Sequence, residues 1–406
     1  MQQEFWNKFL LYPAISRTHE SEQQCTDIAA AFLERSNGKP FAFEIHRNSR
    51  SRLILDTFLC EATRWQDVSL AIGAKEIPIL ESTKGRLSQL HSLTLVVSPA
   101  VRASRRPNAI KVPQSCSGIF TDAPHLTRVR LSELSTWQFN WSSLISLELI
   151  KPVDNPYLLQ ALPHMQSLER LLVNQPHYAH YNYVRTEPIS LPRLRVLTIF
   201  GFGLLPILVS PSLNELYIDV EPCNPVWDNA LAVCSSFLRR SSCTIQRLGL
   251  VGTAFTMDIT EQILWLTPDL RFLSIYVDDD KWLLHLLAEM TSGQLLLVPK
   301  VQSLRIMFSP MFQHHPAALL TLIASRTAES IPLESLLKEL TIALEDTSDL
   351  EIFSLLQGVG LDCRARNLDI QFRIVSPVGA DSDLGRISGE YDRQFQDDFT
   401  IDLETL

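Results

Sequence analysis

The sequence predicts an α/β fold built by stacking one repeated unit, and three observations predict it. First, Leu191-Pro192-Arg193-Leu194-Arg195-Val196-Leu197-Thr198-Ile199 reads as a short strand whose alternate side chains Leu197 and Ile199 share one face. Second, the phrase recurs. It stands at Leu90, Leu93 and Leu95; Leu126, Val129 and Leu131; Leu144, Leu147 and Leu149; and Leu168, Leu171 and Val173. It returns at Leu213, Leu216 and Ile218; Ile245, Leu248 and Leu250; Leu270, Leu273 and Ile275; Val301, Leu304 and Ile306; and Leu337, Leu340 and Ile342. Trp65, Val68 and Leu70 read as a degenerate first copy, and Leu368 with Ile370 as the last. Third, the mean spacing from Val68 to Leu368 is about 27 residues, the period of leucine-rich repeats.

One unit of that size cannot bury its own leucines, whereas a stack of them makes a continuous core. The expected architecture is therefore a leucine-rich-repeat solenoid, an irregular horseshoe. Its curved parallel sheet would lie on the concave side, with helices or loops on the convex side. The spacing varies from 18 residues (Val129 to Leu147) to 36 (Leu93 to Val129), so some return segments are expected to be short and others to carry a full helix. The competing reading, an ordinary parallel sheet of buried strands, does not explain one phrase repeated this often.

Taken in order, residues 1–64 read as an N-terminal helical cap. Glu22 to Ser36 is alanine-rich and stops at Asn37-Gly38, which suits a helix with a glycine terminus. Phe41, Phe43 and Ile45 alternate as a strand does. Ser51 to Arg64 forms a second helix with Leu53, Leu55, Phe58 and Leu59 on one side. Residues 65–375 form the solenoid. Within it, Pro99 to Pro113 is a basic surface insertion, and Gln175 to Glu187 is an aromatic one containing His177 and His180. Return helices are expected over Asp228 to Arg240, Asp258 to Leu266, Asp279 to Met290 and Ala317 to Arg326. Residues 376–406 are an acidic tail in which Tyr391, Phe395, Phe399 and Leu403 recur every fourth residue, the stripe of a possible capping helix.

Composition bounds the function. The chain has 406 residues, 46% hydrophobic and 20% charged, and no apolar run long enough to span a membrane. Met1 to Ser16 holds a single cation, Lys8, so no secretory leader is expected. The net charge is −9, of which the tail from Ser376 carries −6 as eight acids against two arginines. Without a basic stripe, a nucleic-acid partner held through phosphates is not expected. Seven cysteines are scattered without a Cys-x-x-Cys pair, which suits free thiols in a reducing compartment, cytoplasmic or nuclear.

Motifs for chemistry are missing: there is no phosphate loop, nucleophile elbow or metal-binding His-Glu-x-x-His. Gly201-Phe202-Gly203 follows a strand but Pro206 occupies the third glycine position of a dinucleotide fingerprint, so it reads as a turn. The spacing of His177 and His180 lacks further ligands nearby, and Asp278-Asp279-Asp280 and His314-His315 read as turns before helices. Neither an enzyme, nor a cofactor, nor a metal is expected. What the repeats offer is a surface. Residues between and after the buried pairs face the concave side: Thr198 and Phe200, Tyr217 and Asp219, Ser274 and Tyr276, Arg305 and Met307. Of these, Phe200, Tyr217, Tyr276, Arg305 and Met307 are the types that anchor protein partners.

The N-terminal half also carries a resemblance. Phe5-Trp6, the helix ending Phe32-Leu33-Glu34-Arg35-Ser36-Asn37-Gly38-Lys39-Pro40, and Arg64-Trp65-Gln66-Asp67-Val68-Ser69-Leu70 come in an order that resembles the F-box and leucine-rich-repeat families of mushroom-forming fungi. Phe120 to Leu126, Phe237 to Cys243 and Leu266 to Leu270 fit the same pattern, and the resemblance runs over residues 4 to 375. It implies a substrate-recognition subunit of an SCF-type ubiquitin ligase, with the repeats holding the target protein. The F-box itself would lie upstream of Phe5, and contact with the SCF adaptor is expected only where one exists. The sequence departs from regular leucine-rich repeats in having no asparagine ladder: Val96, Ile150, Phe200, Val251 and Met307 follow the strands instead. Two other readings stay open, a scaffold without a role in ubiquitin transfer and a hydrolase or transferase assembled from distant residues.

Overall fold

The computed structural model describes residues 8–11, 19–45, 51–98, 113–132, 134, 137–150, 156–174, 187–220, 230–252, 255–277, 298–308, 337–343 and 371–375. The helices expected at Asp279 to Met290 and Ala317 to Arg326, both histidine motifs, the Asp278 to Asp280 turn and the acidic tail lie outside these residues. So do the two insertions, apart from their terminal residues Pro113 and Glu187. The chain divides into two compact units, residues 1–173 and 174–406.

In the first unit, strands β1 (Lys8–Leu11), β2 (Phe41–Ile45), β3 (Trp65–Gly73), β4 (Ser92–Ser98), β5 (Arg128–Leu131), β6 (Ser146–Leu149) and β7 (Arg170–Asn174) lie side by side in chain order, all parallel. Their apolar residues align into two columns. Phe43, Val68, Leu93, Val129, Leu147 and Leu171 are mutual register partners, as are Ile45, Leu70, Leu95, Leu131, Leu149 and Val173. Every one of them is buried. The parallel array therefore begins upstream of Trp65, because the segment 1–64 itself contributes β1 and β2.

The return segments of this unit match the uneven spacing. Helix α1 (His19–Arg35) precedes β2, and α2 (Ser51–Leu59) precedes β3. Asn37 and Gly38 take left-handed φ of 47° and 72°, which stops α1 where the sequence places its end. On α2 the buried side is Ile54, Leu55, Phe58 and Leu59, while Leu53 is 48% exposed. This corrects the expected stripe, since positions 54, 55, 58 and 59 follow the helical period and 53 lies off it. Between β5 and β6 the described residues hold a single 3-10 turn, Trp141–Ser143. Rings of Phe9, Phe32, Phe41, Phe43, Phe58 and Trp65 cluster at the start of the core, with Phe43 stacked on Phe58 at 4.5 Å.

The second unit repeats the plan. Beside a separate two-stranded pair, β8 (Ile189–Ser190) and β10 (Leu208–Val209), the strands β9 (Val196–Phe200), β11 (Glu215–Asp219), β12 (Arg247–Val251), β13 (Phe272–Val277), β14 (Ser303–Phe308), β15 (Glu339–Ala343) and β16 (Gln371–Val375) are parallel neighbours in that order. Leu197, Leu216, Leu248, Leu273, Leu304, Leu340 and Phe372 are aligned, and so are Ile199, Ile218, Leu250, Ile275, Ile306, Ile342 and Ile374. The last strand thus lies four residues beyond the expected Leu368 and Ile370. In the first unit the short helix α3 (Pro156–Ala161) precedes β7; in the second, α4 (Ala230–Ser241) precedes β12 and α5 (Met257–Trp265) precedes β13. On α4, Cys234, Phe237 and Leu238 are buried as expected, whereas Leu231 is half-buried.

Backbone hydrogen bonds show how these turns manage without asparagines. At the leading ends of the strands, one carbonyl accepts two successive N–H groups of the next repeat. His91 accepts from Thr127 and Arg128, Thr127 from Ile145 and Ser146, and Ile145 from Glu169 and Arg170. In the second unit Arg195 accepts from Asn214 and Glu215, Asn214 from Gln246 and Arg247, Gln246 from Arg271 and Phe272, and Arg271 from Gln302 and Ser303. At the trailing ends, serine and glycine take over. The Val97 N–H donates to Ser132 Oγ at 2.8 Å, and the Gly201 N–H donates to the Asp219 carbonyl at 2.7 Å. Gly201 and Gly252 have φ of 102° and 104°, and a Cβ on Gly252 would sit 1.8 Å from the Val220 carbonyl oxygen.

Because Leu197 is fully buried and aligned with Leu216, Leu197→Ala leaves a cavity. We predict a loss of about 2–5 kcal/mol in chemical denaturation. A loss under about 0.5 kcal/mol would show that the aligned columns are not a packed core.

Candidate functional site

The face of each sheet opposite the leucine columns carries residues the core does not use. In the second unit it forms rows fixed by strand register. One row runs Val196, Glu215, Arg247, Phe272, Ser303, Glu339; the next runs Thr198, Tyr217, Gly249, Ser274, Arg305, Thr341. A third pairs Phe200 with Asp219, Asp219 with Val251, and Tyr276 with Met307. All five candidate anchors, Phe200, Tyr217, Tyr276, Arg305 and Met307, are half-buried on this face. Register divides them into two groups. Phe200 and Tyr217 are on adjacent strands β9 and β11, and Tyr276, Arg305 and Met307 are on adjacent strands β13 and β14. Between the groups lies β12, with Gly249 and Val251, so they are separated by roughly 10 Å, two strand spacings.

Local packing distinguishes the anchors. Tyr217 lies across β12: a Cβ on Gly249 would be 2.3 Å from Tyr217 Cδ1, and the ring centroid of Tyr217 is 6.4 Å from that of Phe272. Tyr217 therefore fills a groove made by a missing side chain, and its ring is part of the sheet's own packing. Phe272 is covered in turn by Arg247, whose guanidinium carbon is 4.4 Å from the ring centroid and whose Nε is 3.4 Å from Glu215. Arg305 stands between Ser274 and Thr341, which are 4% and 9% exposed, and its Nε and Nη2 are buried. Ser274 is expected on the open surface but is buried, with the larger Arg305 opposite it and Phe272 and Tyr276 on either side along its strand. Sequence reasoning missed Glu215, Arg247 and Phe272. Their even spacing from Tyr217, Gly249 and Ser274 was the available signal.

The first unit presents a different face. Arg130 pairs with Glu148 at 3.3 Å, and Arg128 reaches Asp67 at 3.5 Å. These are partly exposed pairs on neighbouring or near-neighbouring strands, the kind that contribute little to stability. The aromatic and methionine side chains of the second unit have no counterpart among its central positions Ser69, Thr94, Arg130, Glu148 and Leu172.

Among the described residues, no three His, Cys, Asp or Glu side chains are placed to hold a metal, and no helix is long and apolar enough to cross a membrane. All five described cysteines are free: Cys116 and Cys234 are buried, Cys25 and Cys243 half-buried, and Cys60 exposed. Burial pushes the Cys234 thiol up to about 12, and burial also raises that of Cys243 against an opposing backbone hydrogen bond. A thiol held protonated is a poor nucleophile.

Comparisons with known proteins add little. No protein-family model matches the chain, and no curated protein matches it. Among solved structures, the leucine-rich repeat-containing protein LegL7 from Legionella pneumophila is similar at 13% identity, over 86% of this chain and 95% of that one, with a TM-score of 0.33.

Two predictions follow from the packing. Gly249→Ala should cost about 1–3 kcal/mol in the native background, because Tyr217 must leave its groove. The cost should fall markedly in a Tyr217→Ala background; equal costs in both, measured as a double-mutant cycle, would show that the ring is not what Gly249 accommodates. For the thiols, a maleimide titration of the folded chain at pH 8 should label Cys60 at once and Cys234 only on unfolding. Since the unfolded chain releases the Cys234 proton near the ordinary thiol value of 9.0 and the folded chain holds it to about 12, this group's contribution to stability is full below pH 9 and declines above it.

Proposed function

We propose that this chain is a non-enzymatic protein-binding module. In this reading the repeats form an irregular horseshoe solenoid, and a protein partner lies on the concave face of the sheet against Phe200, Tyr217, Tyr276, Arg305 and Met307. The observation that carries it is the second unit's outer face, where half-buried aromatic, methionine and arginine side chains stand in register on parallel strands. Such side chains have large apolar area and little freedom left to lose, which favours hot-spot contacts. The packing refines the roles. Tyr217 is partly committed to Gly249, so Phe200, Tyr276 and Met307 supply most of the area for a partner.

The resemblance to F-box and leucine-rich-repeat proteins extends the proposal to substrate recognition in an SCF-type ubiquitin ligase. The target would occupy the repeats, and an F-box upstream of Phe5 would make the adaptor contact. No cofactor, nucleic acid or membrane takes part, and the setting is cytoplasmic or nuclear.

Affinity capture with the full chain tests this. Recovery of the SCF adaptor and cullin supports the ligase role, and recovery of other proteins without them favours a scaffold. For any partner so identified, Phe200→Ala with Tyr276→Ala should weaken binding by at least about tenfold, near 1.4 kcal/mol. The thermal midpoint should stay within a few degrees of the parent. Unchanged affinity, or a collapse in stability comparable to that of Leu197→Ala, would remove these residues from the binding face.

A further inference from the structure

Two histidines stand on neighbouring repeats of the first unit, each just ahead of its strand. His91 immediately precedes β4, and His125 comes three residues before β5. Their rings lie nearly parallel, with planes 10° apart and centroids separated by 5.5 Å. The backbone holds them together, because the forked carbonyl here belongs to His91 itself. It accepts the Thr127 N–H at 3.0 Å and the Arg128 N–H at 3.1 Å, so His125 is two residues from a main-chain tie to its partner. His91 is half-buried and His125 is exposed, which leaves the pair accessible from solvent.

The His91 ring is also oriented. Its Nδ1 lies 2.6 Å from the Gln89 carbonyl oxygen, which can only accept, so Nδ1 carries the proton. In the neutral ring Nε2 then keeps its lone pair. A backbone carbonyl on the far nitrogen is the usual support behind a histidine that ligates a metal.

We propose that His91 and His125 form a two-histidine site for a divalent ion of the zinc and nickel type, its outward positions filled by water. Imidazole suits such ions, whereas Mg2+ prefers oxygen ligands. An ion held at about 2.0–2.1 Å by each nitrogen brings the two nitrogens within about 4.2 Å of each other. Rings centred 5.5 Å apart reach that separation when the exposed His125 side chain rotates, a fast motion on a surface. Among the described residues no third His, Cys, Asp or Glu joins the pair, so the chain supplies two ligands and the ion keeps open positions. The ion ties the β4 and β5 repeats through side chains where the fork ties them through main chain.

Calorimetric titration of the full chain with nickel(II) chloride tests the site, using His91→Ala, His125→Ala and the double variant. Each single replacement should remove one equivalent of bound Ni2+ or weaken its binding by at least about tenfold. The double variant should lose no more than either single one, since both rings serve one ion. Because His125 is exposed, His125→Ala keeps the fold and carries the test alone if His91→Ala does not fold. An Ni2+ isotherm unchanged in His125→Ala overturns the proposal. So does a double variant that loses two equivalents, the mark of separate single-histidine contacts, and so does Mg2+ binding with equal affinity at the same pair.

Discussion

Register between parallel strands is the constraint on which this structure depends. Side chains alternate faces along a strand, so a slip of one residue would send every leucine of a repeat outward and every polar residue inward. In both units the aligned columns keep apolar opposite apolar without interruption, from Phe43 to Leu171 in one and from Leu197 to Leu340 in the other. Each repeat therefore depends on its neighbours for burial, and stability is expected to accumulate along the array.

Main-chain hydrogen bonds hold that register at both ends of the strands. Leading ends use carbonyls that accept two N–H groups, satisfying both lone pairs of one oxygen with donors from the next repeat. Trailing ends use what each site permits: Ser132 bonds Val97, while Gly201 and Gly252 adopt left-handed backbone, and at Gly252 a side chain would collide with the Val220 carbonyl. The asparagine ladder is thus replaced by several local solutions. This suits an array whose return segments range from the 3-10 turn Trp141–Ser143 to the helix His19–Arg35.

Much of this was legible in the sequence because burial is periodic. The phrase around Leu194, Leu197 and Ile199 located its strand, and its copies located most of the others. Where periodicity is weak, position alone does not fix the inward side. Leu368 is apolar and fits the phrase, yet pairing falls on Phe372 and Ile374, a frame that only the partner strand defines. Leu53 was assigned inward although the helical period favours Ile54. The outer face was legible as a set of positions but not as contacts. That Tyr217 would lie over Gly249, or Arg247 over Phe272, depends on side chains from strands far apart in sequence.

The forked carbonyls have a consequence for variation. They are backbone atoms, so the residues that carry them, Arg195, Asn214, Gln246 and Arg271, contribute to the architecture whatever their side chains are. Side-chain chemistry at the exposed rim positions Arg195, Gln246 and Arg271 is uncoupled from fold integrity, whereas Asn214 keeps its Oδ1 buried. Charge and polarity at the exposed positions are free to drift or be redesigned, while the leucines behind them stay fixed.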